Sequence, residues 1–407
     1  MSVVLRRIRH VPHPIRQSET DACPGALKLH QAADGPLARV RLPGGRLTGT
    51  QLTALAAIAA ASGDGSLELT SRANVQLRAL TRTNPTDLAA RLSAAGLLPT
   101  ATHETVRNIA APPLADRPTR TLIHDLDAAL CADPALAALP GRFLFALGTV
   151  PLVPDVAAVP DGDHFAVLFA GHDEGLRVPA DRVVPALLAA AHAFLDARAR
   201  HQGRPAWRLA ELPGGARAIA EQTAARLGVT LRDEPALVPD YPASPVGVLP
   251  QPDGLFAVGA IVPLGRLTGV QMKVLAEADQ LVVTPWRGVV VADLPPAAAS
   301  DWQRRLTEAG LPAAPDSRWT GVTACAGLPG CAKSRADIRA DALATTRFVD
   351  GLPVHWLGCE RGCGSPAGPH VRVEATPHGY AVTTPDGPVT HPHAADLAAA
   401  VVAARRS

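Results

Sequence analysis

Cys325-Ala-Gly-Leu-Pro-Gly-Cys331 is followed by Cys359-Glu-Arg-Gly-Cys363, so four of the six cysteines fall within 39 residues as a C-x5-C and a C-x3-C pair. Thiolates gathered in this way bind metal. A cubane iron–sulfur cluster needs four of them arriving from different directions. Gly327, Gly330, Gly358, Gly362 and Gly364 lie between or beside them, which lets the backbone turn and bring amides close to sulfur. Four thiolates also suit tetrahedral zinc, although zinc knuckles usually have a two-residue spacing in at least one pair and neither pair here does. Unrelated buried cysteines are the third reading. Cys23 and Cys131 lie far off and read as small core or surface residues.

A second set of residues suits an anion. Arg72, Asn74, Gln76 and Arg78 alternate along a strand expected over about 66–80, which puts all four on one face and Ala73, Val75 and Leu77 on the other. Arg39 and Arg41 form a similar pair on a preceding strand, Arg107-Asn108 follows that unit, and Arg142 lies in the segment LPGRF. Guanidinium forks and amides in one array match a ligand carrying several carboxylates. The ordinary alternative is a solvated sheet face.

The elements that must position these residues are duplicated. LPGGRLTGTQLTALA at 42–56 returns as VPLGRLTGVQMKVLA at 262–276, SLELTSRANVQLRAL at 66–80 as QLVVTPWRGVVVADL at 280–294, and RLSAAGL at 91–97 as RLTEAGL at 305–311. Each copy reads as strand, turn, helix, strand, helix. Pro43-Gly44-Gly45 ends the first strand, Thr48 caps a helix through GTQLTALAAIAAA, and a short helix covers 86–95. In the second copy Trp286, Gly288, Val290 and Ala292 replace Arg72, Asn74, Gln76 and Arg78. One polar copy and one stripped copy imply a single site.

The pattern predicts an α+β fold in four parts: a first half-domain over 1–105, an α/β domain over 106–240, a second half-domain over 241–316 and a cysteine-bearing α/β domain over 317–407. Pro/Gly-rich stretches near 112–118, 236–254 and 311–316 read as linkers. With 407 residues, 47% of them hydrophobic, and a formal net charge of +2, the chain is globular and offers no nucleic-acid surface. No apolar stretch is long enough to span a bilayer, and MSVVLRRIRHVPHPIR lacks the apolar core of a signal peptide, so a cytoplasmic protein that binds no membrane is expected. Six cysteines in that compartment point to metal or redox chemistry rather than disulfides.

RVRLPGGRLT, LTSRANVQLR, VRNIAAPPL and the two cysteine pairs together resemble the siroheme-dependent sulfite and nitrite reductases, in order over nearly the whole chain. The resemblance implies duplicated ferredoxin-like half-domains forming a pseudo-twofold pair, plus two sulfite-reductase-type α/β domains, the second holding a [4Fe–4S] cluster on Cys325, Cys331, Cys359 and Cys363. It makes Cys363 the bridge to siroheme iron, and Arg39, Arg107 and Arg142 counterparts of cations around a bound oxyanion. Leu144 stands where a lysine is expected.

Cys23-Pro24-Gly25, AADGPLARVRLPGG, LPGRFLFAL and HWLGCERGCGSPAGPH further resemble the precorrin-3B synthase branch. One departure is GTVPLVPD, where an acidic, glycine-containing stretch is expected. That branch implies an oxygenase that hydroxylates precorrin-3A at the meso carbon between rings A and D and closes a γ-lactone, in aerobic cobalamin biosynthesis. Its partners are a tetrapyrrole substrate, dioxygen and an external electron donor (an NAD(P)H-linked reductase or a ferredoxin). Arg39, Arg41, Arg72, Arg78, Arg107 and Arg142, with Asn74, Gln76 and Asn108, become the substrate clamp. A mononuclear non-haem iron is implied, for which His355 and Glu360 are the candidate ligands. The alternative is a sulfite or nitrite reductase that keeps siroheme.

Overall fold

A computed structural model describes residues 21, 23–233, 243–366 and 368–407. The N-terminal stretch used to judge targeting, and residues 236–242 of the linker expected over 236–254, lie outside them. The described chain divides into one compact unit that runs to Ala314 and another from Pro315 to Ser407. Among the described residues no helix is long and apolar enough to cross a membrane.

The repeat builds two α+β halves. In the first, Gly35–Val40 is a strand and the Pro43–Gly45 turn stops it, with Gly44 and Gly45 both at positive φ. Thr48 then caps helix Gly49–Ser62 through a reciprocal pair. Its hydroxyl accepts from the Gln51 N–H (3.1 Å), and the Gln51 side chain accepts from the Thr48 N–H (3.0 Å). The second copy repeats the device with Thr268 and Gln271 at the start of helix Gly269–Leu275.

The single strand expected over 66–80 is a hairpin. Strands Leu67–Leu69 and Val75–Leu77 pair antiparallel, and Thr70 closes the turn by accepting from the backbone N–H of Arg72 and Asn74 while Ala73 adopts φ 58°. Arg72 therefore sits in a turn, and only Asn74, Gln76 and Arg78 keep the alternation. The second copy turns in the same way between Gln280–Val283 and Val289–Leu294, with Arg287 at φ 58°.

The halves exchange edge strands. One sheet runs His30–Ala32, Gly35–Val40, Val75–Leu77, Leu67–Leu69 and then Arg266–Leu267 from the other half. The other runs Gly247–Pro250, Phe256–Ala260, Val289–Leu294, Gln280–Val283 and then Arg46–Leu47. Leu67 faces Leu267 across one junction and Leu47 faces Leu281 across the other. A single apolar core joins Leu47, Leu55, Leu67 and Leu77 to Leu267, Leu275, Leu281 and Val291. Gly247–Pro250, inside a stretch expected to be linker, is thus an edge strand.

The two remaining sheets share a topology that the sequence did not reveal. In Ile109–Ala110, Phe145–Leu147, Val156–Asp161, His164–Phe169 and His172–Val178 the first three strands are parallel and the last two antiparallel. Val322–Ala324, Val354–Leu357, Val371–Thr376, Gly379–Thr383 and Val389–Thr390 repeat that order. Helices Arg117–Ala132, Val183–Arg200 and Gly215–Leu227 cover the former around Phe143, Phe145, Phe169 and Phe194. Both cysteine pairs follow the C-terminal ends of parallel strands in the latter, the usual place for a ligand on such a sheet.

Candidate functional site

The polar residues on the first half separate into two groups. Arg78 donates to both oxygens of Asp34 at 2.8 Å and lies 3.5 Å from Glu68. Burial opposes its charge, but these carboxylates outweigh that and push its pKa up. Arg107 is held in the same fashion, with Nε and Nη2 2.7 and 2.6 Å from the two oxygens of Asp127. Asn74 accepts from the Leu42 N–H and donates to Asn108, and Asn108 donates to the carbonyls of Thr105 and Gly141. Gln76 accepts from Arg39 and donates to Glu68. These side chains lace the segments together, and Arg78 and Arg107 have their charge answered internally.

Arg39, Arg41, Arg72 and Arg142 form the second group. Arg41 is 2% exposed; its Nη1 donates to the carbonyls of Pro24 and Arg39, while Nε and Nη2 are buried with no partner among the described residues. Burial, and then Arg39 beside it, pull the Arg41 pKa down to about 9. Burial, and then Arg208, bring half-buried Arg72 to about 10. Arg39 is lowered by burial and by Arg142, and Arg142 itself lies over the Trp207 ring at 5.0 Å. Arg39, Arg41 and Arg72 repel one another where water is scarce, and exposed Arg142 stands at their edge, an arrangement that favours an anionic ligand.

Cys23, read from sequence as a small core or surface residue, is a half-buried thiol. Burial and then Asp21 raise its thiol pKa, against the pull of Arg39 and Arg41, so it lies at the edge of this cation group. Its segment is pinned by Glu104, whose carboxylate accepts from the backbone N–H of Ala26, Leu27 and Lys28. The same segment meets the cation group through the Pro24 carbonyl, which accepts from Arg41.

In the unit Pro315–Ser407, Cys325 directly follows strand Val322–Ala324 and Cys359 follows strand Val354–Leu357 by two residues. The Gly358 N–H donates to Cys325 Sγ at 3.3 Å. A side chain at Gly358 would collide with Ser334, and Gly362 and Gly364 take positive φ between and beside the second cysteine pair. Burial raises the Cys325 thiol against the Gly358 and Gly327 amides, with Cys331 and Cys359 raising it further. Cys363 reaches the surface, yet the protein packed around its thiol withdraws enough water to raise it, against Arg361, and the other three thiols add to it. Cys325 and Cys363 thus lie within electrostatic reach of the other thiols.

Yet among the described residues no three His, Cys, Asp or Glu side chains converge tightly enough for a single ion. Zinc needs its sulfurs about 2.3 Å from one centre, whereas a cubane presents a separate iron corner to each thiolate. The amide directed at Cys325 Sγ and the positive-φ glycines around the second pair fit the second.

His355 and Glu360 are not brought together. His355 is 0% exposed, with Nδ1 2.7 Å from the Thr323 hydroxyl and Nε2 3.0 Å from the Cys363 carbonyl. Glu360 is exposed and pairs with Arg335 at 3.3 Å. No His-plus-carboxylate iron site is built from them.

The model for the nitrite/sulfite reductase ferredoxin-like half domain matches residues 30–95 and 248–309. The ferredoxin–nitrite reductase of Synechococcus elongatus is 30% identical over 382 residues, covering 81% of this chain and 74% of that protein. The structure of the Mycobacterium tuberculosis NirA protein superposes with a TM-score of 0.67 at 23% identity, over 89% of this chain and 79% of that one. These findings correct the expectation of a precorrin-3B synthase: the relative that aligns along most of the chain is a nitrite reductase.

Proposed function

Because the chain belongs to the nitrite and sulfite reductase family, we propose that it reduces a small nitrogen or sulfur oxyanion, nitrite foremost, with siroheme and a [4Fe–4S] cluster as resident groups. The observation that carries this reading is the cation group of Arg39, Arg41, Arg72 and Arg142, with two guanidinium nitrogens of Arg41 buried and without a partner among the described residues. A tetrapyrrole rimmed with carboxylates supplies the missing negative charge. On this reading the tetrapyrrole expected as a substrate is a cofactor.

When bound, the cluster and siroheme would pass electrons singly to the oxyanion. Cys325, Cys331, Cys359 and Cys363 would hold the cluster, the Gly358 N–H stabilising the Cys325 sulfur. The proposed division of the chain near 105, 240 and 316 assigns the cations mainly to the first half-domain and the thiolates to the last part. A ferredoxin, named in the S. elongatus relative, is the proposed donor.

Nitrite is preferred over sulfite on charge. Arg107 is neutralised by Asp127, and Leu144 occupies a position expected to be cationic. The weaker field that remains favours a monoanion over a dianion.

The test is anaerobic purification, an absorption spectrum, assays for iron, acid-labile sulfide and zinc, and turnover with a reduced viologen dye. A siroheme band, sulfide close to iron and faster consumption of nitrite than of sulfite are expected. Stoichiometric zinc, or a spectrum without a tetrapyrrole, overturns the proposal.

A further inference from the structure

Cys363 is the exposed member of its thiol set, whereas Cys359 is buried. It ends the short loop Glu360–Gly362, in which Gly362 is at φ 62°, and is followed by Gly364 at φ 79°. An exposed thiolate between two left-handed glycines has little steric reason to stay in place. The structure supplies a restraint from beneath. Strands Val322–Ala324 and Val354–Leu357 run parallel with Thr323 directly opposite His355, and the imidazole lies wholly out of water.

A carbonyl only accepts, so His355 Nε2 carries a proton and donates it to the Cys363 oxygen at 3.0 Å. In the neutral ring Nδ1 is then an acceptor, and the Thr323 hydroxyl donates to it at 2.7 Å. The His370 ring stands edge-on at 6.4 Å and limits rotation. Thr323, His355 and the Cys363 carbonyl thus form one line from the sheet interior to the exposed thiol.

We infer that His355 is a positioning residue for the fourth cluster thiolate: oriented by Thr323, it fixes the Cys363 backbone and so keeps one corner of the cluster from losing its iron. This rests on the cluster reading above. It gives His355 a task different from metal ligation, for which both ring nitrogens are already committed. A cubane that loses its least protected corner becomes a three-iron cluster with a distinct EPR signal.

The experiment compares wild type, His355→Phe, His355→Gln and Thr323→Val, each purified anaerobically and then exposed to air. Iron and sulfide are assayed over time and EPR spectra recorded. Glutamine places an N–H near the Nε2 position, whereas phenylalanine fills the space without one. The phenylalanine variant should develop the three-iron signal several-fold faster than wild type, the glutamine variant should return close to the wild-type rate, and Thr323→Val should fall between.

Equal rates for wild type and His355→Phe overturn the inference. So does equal damage from phenylalanine and glutamine, since packing alone then explains it. If His355→Phe does not fold, Thr323→Val decides, and a wild-type rate there is fatal. A wild type that contains no sulfide refutes the cluster reading itself, whereas a loaded wild type with an equally resistant variant refutes only the role of His355.

Discussion

At Arg41 two guanidinium nitrogens lie out of water without partners among the described residues, and burial beside Arg39 brings the pKa to about 9. Below that pH both folded and unfolded chains carry the proton, and the penalty of the buried charge falls wholly on the folded state. Between about 9 and the ordinary arginine value the folded chain releases its proton first, the unfolded chain binds more, and stability gains with pH. Arg41→Met should therefore stabilise the cofactor-free protein at pH 7 by about 1–3 kcal/mol, with the advantage shrinking at pH 10, in urea titrations. The same variant should retain less tetrapyrrole, read from absorbance per chain. A variant less stable than wild type at pH 7 contradicts the electrostatic account. Arg107 presents the opposite case. Its side chain is 6% exposed and shares two bonds with Asp127, so Asp127→Asn strands a buried charge and should cost about 3 kcal/mol. Replacing both partners with apolar residues should cost less, which a double-mutant cycle in urea would establish.

Among the elements, the matched caps of helices Gly49–Ser62 and Gly269–Leu275 offer a paired test. Thr48→Ala and Thr268→Ala each remove one side-chain acceptor and loosen the reciprocal glutamine, so each should lower stability by about 1 kcal/mol without changing the denaturant slope. The caps could be read from sequence because a capping box is local, complete within four residues. The hairpin at Thr70–Asn74 could not. The alternation Arg72, Asn74, Gln76, Arg78 runs unbroken through a turn that exists because Ala73 takes a left-handed conformation, which alanine does not advertise. Tertiary partners were equally hidden. Asp127, which neutralises Arg107, comes from a helix twenty residues on, and Thr323 meets His355 only through parallel strand pairing. The cysteine pairs were legible because their spacing and glycines restrict the possible chemistry, and the duplicated halves because the same words recur. The choice between branches of the family rested on short matches, and alignment along most of the chain outweighed them.

For the molecule as a whole, the duplication goes further than the repeated words. Two halves are built on the same helix cap and hairpin, and two sheets share one order of parallel and antiparallel strands. In the unit that runs to Ala314 the half-domains are not separable pieces. Arg46–Leu47 completes the sheet of the second half, Arg266–Leu267 completes that of the first, and the leucines around both junctions belong to one core. Arg46 reinforces the exchange through Gln280, and Arg266 through Ser66 and Asp64. A fragment of residues 21–233 would keep Arg46–Leu47 with no sheet to join and would leave Leu67 and Leu69 with a vacant edge, exposing apolar surface and unpaired backbone together. It should bind a hydrophobic dye and unfold without a sharp transition. A fragment of residues 21–314 retains both exchanged strands and should unfold in one cooperative step, with circular dichroism and intrinsic fluorescence giving the same midpoint. Cooperative, dye-free unfolding of the shorter fragment would mean that the exchanged strands add little, and that the two halves fold independently before they pair.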